Sequence, residues 1–170
     1  KVCLSSGTNF NCTNWTGPAV KSDYAVLGDF DGDGKTDLVA YEGSVWKRCI
    51  STGTGFSCAT TSLTAPFSLE PGMTVAGDFN ADGRDDLVIL NPFEGALDSL
   101  VCMATAAGFS TCSAFNAYRA FFDDSDTWHP PKYRQYLNSG DLNGDGRPDY
   151  VRHSSVNGQG AHYGIAVMTE

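Results

Sequence analysis

The sequence predicts an all-β chain built from three copies of one four-stranded unit, and three observations carry that expectation. An aspartate-rich loop is written three times, and a cysteine hairpin is also written three times. Helical periodicity is absent almost everywhere, Tyr118–Phe122 being the one exception.

The loop segments are Val26–Val39, Val75–Val88 and Asn138–Val151, and each reads D-x-[DN]-x-D-G-x-x-D followed by Leu-Val or Tyr-Val. Their first aspartates are Asp29, Asp78 and Asp141, which gives periods of 49 and 63 residues. The hairpin runs Val2–Cys12, recurs as Arg48–Cys58, and recurs again as Leu100–Cys112 with one extra residue. Each copy is a short β-prone run, then Gly and Thr turn residues, then Phe and Cys, which predicts a β-hairpin with a loop of about four residues. Pairing from the turn outward sets Cys3 against Cys12 and Cys49 against Cys58, and the repeat extends this to Cys102 with Cys112. Each disulfide would close a ring of about ten residues, worth roughly 2–3 kcal/mol in the chain-entropy model. Three pairs of reduced, buried thiols are the alternative, whereas zinc is disfavoured by spacings too long for a C-x₂₋₄-C knuckle.

In the first full repeat the strands are expected at Ala25–Phe30, Asp37–Tyr41, Val45–Ser51 and Phe56–Thr60, with the aspartate loop joining the first two. Four short strands about every 50 residues is the period of a β-propeller blade. The chain divides into 1–24 (the end of a preceding blade), 25–60, 73–115, an aromatic insertion at 116–135, and 136–170. It opens on a third strand, Val2–Ser5, and closes on another, Gly164–Thr169, so the blades are permuted. Three blades leave open sheet flanks, which fits part of a larger propeller or a partial one that self-associates.

Composition limits the function. The formal charge of −9 argues against nucleic acid, whose phosphates demand a basic face. A hydrophobic fraction of 41% suffices for a core, yet no apolar run approaches the length of a membrane helix. Regular cysteine pairs favour an oxidising compartment, secreted or at the cell surface. The start at Lys1, with no signal peptide, is expected of a processed chain or one cut from a longer protein.

The loop spacing suits a hard cation, because alternate side chains of a tight loop can turn their oxygens inward and calcium takes six to eight. The side-chain ligands are Asp29, Asp31, Asp33 and Asp37 in the first loop, Asp78, Asn80, Asp82 and Asp86 in the second, and Asp141, Asn143, Asp145 and Asp149 in the third. Lys35, Arg84 and Arg147 at the seventh position would give a backbone carbonyl and leave their side chains unconstrained. Gly34, Gly83 and Gly146 at the sixth position allow a turn with positive φ. Ten of the 20 acidic residues sit at these ligand positions, and three Ca²⁺ would move the formal charge from −9 to −3. The first loop carries four carboxylates against three in the others and is expected to bind tightest. An EF-hand is excluded, because the twelfth position holds Ala40, Ile89 or Arg152 rather than a bidentate Glu.

These loops resemble the FG-GAP or VCBS repeats of β-propellers, including those of integrin α chains. The Val-Cys-Leu-Ser-x-Gly-Thr-x-Phe-x-Cys hairpin with Trp15 is also similar to repeats in large bacterial Rhs and insecticidal-toxin-complex (SpvB-like) secreted proteins. The resemblance implies a propeller fold, structural calcium and a non-catalytic role in protein interaction or scaffolding.

Outside the loops, the insertion holds Trp128, His129, Tyr133 and Arg134, residue types that anchor interfaces, as candidate partner-binding groups. The same aromatics could instead cover a blade edge. A glycan-binding lectin is the second reading, with Trp15, Trp46 or Trp128 as stacking platforms. A hydrolase is the third, with His129, His153 and His162 as its only candidates, although they share no ligand or catalytic spacing. Asn11-Cys-Thr and Asn14-Trp-Thr match the glycosylation sequon.

Overall fold

The computed structural model describes residues 1–17, 25–42, 45–61, 63, 74–89, 99–110, 112–115, 134–156 and 159–166. Every regular element among them is a strand. β1 (Val2–Ser5) and β2 (Phe10–Thr13) form a two-stranded hairpin. β3 (Ala25–Gly28), β4 (Asp37–Glu42), β5 (Val45–Ser51) and β6 (Phe56–Thr60) form an antiparallel four-stranded meander. The second repeat gives the same four-stranded order from β7 (Thr74–Gly77), β8 (Asp86–Ile89), β9 (Ser99–Cys102) and β12 (Ser113–Phe115). Between β9 and β12 lie the short strands β10 (Ala104–Thr105) and β11 (Gly108–Phe109). In the third repeat β13 (Arg134–Gly140), β14 (Asp149–Val156) and β15 (Gln159–Ala166) form a three-stranded sheet.

The strands therefore fall where the repeat places them, with small differences at their ends, the second strand of the first repeat running to Glu42 rather than Tyr41. The first strand stops at Gly28 rather than Phe30, because Asp29 and Phe30 already turn into the loop. The last strand spans Gln159–Ala166, earlier than the expected Gly164–Thr169, and 167–170 lie outside the described residues. So do most of the 116–135 insertion and the Tyr118–Phe122 exception.

All six cysteines are paired, as Cys3–Cys12, Cys49–Cys58 and Cys102–Cys112. Cys3 faces Cys12, and Cys49 faces Cys58, directly across their hairpins. The extra residue of the third hairpin is absorbed without losing the pair. Val101 sits opposite Ser113 and Ala104 opposite Phe109, so Met103 faces one residue too many, and the Ser110 amide donates to the Met103 carbonyl at 2.8 Å. That bulge splits the hairpin into two short ladders, with a two-residue turn in place of the expected four-residue loop. It also keeps Phe109 on the side of Ala104, where its ring meets Phe30 edge-on at 5.6 Å.

One core spans the first and second repeats: Phe30, Val39, Trp46, Leu63, Leu87, Ile89, Leu100, Cys102, Ala104 and Phe109. Alternation sets Leu87 and Ile89 of β8 on one face, and both belong to this core. Buried Arg48 bridges the repeats, donating from Nη2 to the Phe30 carbonyl at 2.6 Å and from Nη1 to the Thr105 carbonyl at 3.2 Å. The first strands lie side by side, with β7 between β3 and β13. This arrangement brings the three aspartate loops, each joining the first and second strands of its sheet, to the same end of the repeats.

Candidate metal centre

Each loop is folded around its own carboxylates by short-range hydrogen bonds. Asp29 at the first position accepts from the Gly32 and Asp33 amides through Oδ1 (2.8 and 3.1 Å) and from Gly34 through Oδ2 (2.7 Å). Asp78 accepts likewise from Asp82 and Gly83 (2.9 and 2.8 Å), and Asp141 from Gly144 and Gly146 (2.6 and 2.9 Å). The third-position side chains Asp31, Asn80 and Asn143 each accept from the amide two residues on, at 3.1, 2.9 and 2.9 Å. The fifth-position residues Asp33, Asp82 and Asp145 do the same for Lys35, Arg84 and Arg147, at 2.9, 3.0 and 2.8 Å. The side chains at the first, third and fifth positions are thus tied to amides of their own loop. Gly34, Gly83 and Gly146 have φ of 82°, 85° and 85°, the turn predicted at the sixth position. The fourth position also takes positive φ, with 78° at Gly32, 80° at Gly144 and 58° at Ala81, a residue that pays steric strain there.

The ninth aspartates Asp37, Asp86 and Asp149 are fully buried. Asp37 ties the loop to the third strand, since Oδ2 accepts from the Phe30 amide (3.1 Å) and Oδ1 from the Ser51 amide (2.7 Å). Asp149 makes the first of these bonds, to the Leu142 amide at 2.9 Å. Asp86 makes the second, to the Ala104 amide at 2.6 Å. The Phe79 amide, which corresponds to that of Phe30, donates to the Gly77 carbonyl at 2.9 Å and acts only weakly on Asp86, whose carboxyl it still pulls down. Asp86 Oδ2 is left buried without a hydrogen-bond partner. Burial pushes the Asp86 carboxyl up to about 6, with the Asp82 and Asp78 charges adding to the shift. Burial also raises the Asp37 carboxyl, against the pull of the Ser51 amide, and neighbouring Asp31 and Asp29 raise it further.

Asp29, Asp31 and Asp37 each bring a carboxylate oxygen to within 4.8 Å of the others. An all-oxygen set of this kind suits a hard cation, and the orphaned Asp86 oxygen is what a bound cation would satisfy. Asp33 stands apart from that group and pairs with the Lys35 ammonium. That side-chain bond holds the Asp33 carboxyl below, and the Lys35 ammonium above, their ordinary values. Arg84 pairs with Asp82 at 3.5 Å in the same way. The seventh-position side chains, expected to be unconstrained, act in these two loops as counter-ions to the fifth aspartate. In the third loop the Arg147 amide is the main cause that lowers the Asp145 carboxyl.

Other candidates fare unequally. Trp128, His129 and Tyr133 lie outside the described residues, whereas Arg134 opens β13 opposite Ser155. His153 and His162 sit on adjacent strands, opposite Tyr163 and Ser154. Trp46 is buried, and Trp15 packs on Phe56 with ring centroids 5.4 Å apart. Sequence reasoning missed Asp85, which reaches from the second loop to the first, with its Oδ2 accepting from the Asp29 amide at 2.7 Å. The acidic residue beside the ninth position was the one local signal for it.

Residues 29–89 match the family model of the FG-GAP-like repeat, and residues 74–110 match that of the FG-GAP repeat. No curated protein matches the chain. The matched segments contain the first two aspartate loops and most strands of the two sheets that carry them, and on this ground the chain carries FG-GAP-type repeats.

Proposed function

We propose that this chain is a non-catalytic, calcium-binding β-propeller module that mediates protein interaction or scaffolding within a larger secreted or surface protein. The convergence of Asp29, Asp31 and Asp37 within 4.8 Å, in a spacing written three times, carries the reading. Calcium would be held by these residues with Asp33 and the Lys35 carbonyl, and by the matching positions of the other loops. Bound there, it supplies charge neutralisation and a cross-link between loop and strand. The chain's own residues do the rest: the ninth aspartate fixes the loop to the sheet, and the sixth glycine turns it. FG-GAP repeats are in general protein-interaction modules, and the side-by-side first strands β3, β7 and β13 suit successive blades. Disulfide pairing of all six cysteines accords with an oxidising location and leaves no thiol nucleophile. Among the described residues no helix is long and apolar enough to cross a membrane. Burial of Trp46 leaves the lectin reading without that platform, while Trp15 is half-buried against Phe56.

The test is thermal unfolding in calcium and in EGTA. A clear fall in melting temperature on chelation is expected, and an unchanged value would sink the calcium role.

A further inference from the structure

The junctions between successive loops are alike in outline and differ at one residue. The glycine before the first aspartate of loops 1 and 2 is met by the eighth residue of the following loop. A Cβ on Gly28 would lie 2.9 Å from Asp85 Oδ2, and one on Gly77 would lie 2.6 Å from Pro148 Cγ. Only glycine admits these approaches.

At the first junction the contact is a two-way clasp. The Asp29 amide donates to Asp85 Oδ2 at 2.7 Å, and the Asp85 amide donates to the Asp29 carbonyl at 2.7 Å. Both backbone polar groups of Asp29, the first ligand position of loop 1, are therefore held by a residue of loop 2. That residue is bonded in sequence to Asp86, the last ligand position of loop 2, and its other neighbour is Arg84 at the seventh. At the second junction Pro148 has neither an N–H nor a carboxylate, so neither bond can form there.

We infer that Asp85 is a positioning residue that couples loops 1 and 2, so that a cation in one favours a cation in the other. The inference rests on the calcium reading above. Ordering loop 2 around a cation fixes Arg84 and Asp86 and hence Asp85 between them. The clasp then fixes Asp29, so part of the ordering needed for the second event is already complete.

The experiment is calorimetric calcium titration of the full chain carrying Asp141→Ala, which isolates loops 1 and 2. Coupling should make the second binding step about tenfold tighter than independent sites allow. Asp85→Pro copies the residue that the second junction already accommodates, and it should abolish that enhancement. Asp85→Asn keeps an acceptor oxygen and the amide and should retain it. Hydrogen exchange at the Asp29 amide gives a reading without calcium, and Asp85→Pro should speed it in EGTA. Unchanged two-step binding in Asp85→Pro overturns the inference while leaving the calcium reading intact. No calcium binding in the parent chain overturns both.

Discussion

Loops 1 and 2 share their spacing, their turn geometry and the wrapping of the first aspartate by backbone amides, yet they treat the buried ninth aspartate differently. In loop 1 both oxygens of Asp37 are satisfied by the chain, through Phe30 and Ser51. In loop 2 the Phe79 amide donates mainly to Gly77, so Asp86 keeps one full hydrogen bond, from Ala104, with a weak pull from Phe79, and its Oδ2 lacks a well-formed one. Loop 1 also has Gly32 at the fourth position, where loop 2 forces Ala81 into the left-handed region. The same motif thus leaves the ninth aspartate fully hydrogen-bonded in one loop and only partly so in the other, while the three crowded carboxylates of loop 1 still repel one another. A buried carboxylate oxygen with no partner costs free energy until something positive or a donor reaches it.

The largest expected effect separates the two ninth aspartates without calcium. In EGTA, Asp37→Ala strands two buried amides and should cost about 2–5 kcal/mol in denaturant unfolding. Asp86→Ala strands one amide but removes the orphaned oxygen, and it should cost clearly less. Equal losses would break the comparison.

A pH series sharpens it. The Asp86 carboxyl sits near 6 when folded, against an ordinary 3.8, so the folded state holds the extra proton between roughly pH 4 and 6. Stability of the calcium-free protein should therefore fall as pH rises through that window and stay low above it. Asp86→Asn should flatten the trend, and in saturating calcium the trend should reverse, because proton and cation compete for the oxygens. A pH-independent melting temperature in EGTA would contradict the assignment of the strain to Asp86.

The smallest effect comes from the turn. Ala81→Gly gives loop 2 the residue that loops 1 and 3 already carry. It should stabilise the protein by about 0.5–1 kcal/mol, because relief of the left-handed strain exceeds the entropy that glycine adds to the unfolded chain. A loss of stability would show that the 58° φ of Ala81 carries no strain.

Much of this was legible in the sequence because it is local and repeated. The spacing of the loop aspartates, the sixth glycine and the facing of Cys49 with Cys58 follow from offsets within a dozen residues. The bulge at Met103 was half legible, since the extra residue was plain but its place in the ladder was not. Contacts set by packing were hidden. Asp29 and Asp85 are 56 residues apart, and only the side-by-side placement of β3 and β7 brings them together. The pairing of Lys35 with Asp33 is hidden for another reason, because the motif asks only for a backbone carbonyl at the seventh position and gives its side chain no task.

The central claim is that these loops are cation sites rather than acidic turns. Calorimetric titration of calcium into the EGTA-stripped chain tests it most directly. The account predicts saturable binding at three sites, removed one at a time by Asp29→Ala, Asp78→Ala and Asp141→Ala. Titration without binding heat, in a chain that remains folded, would contradict it.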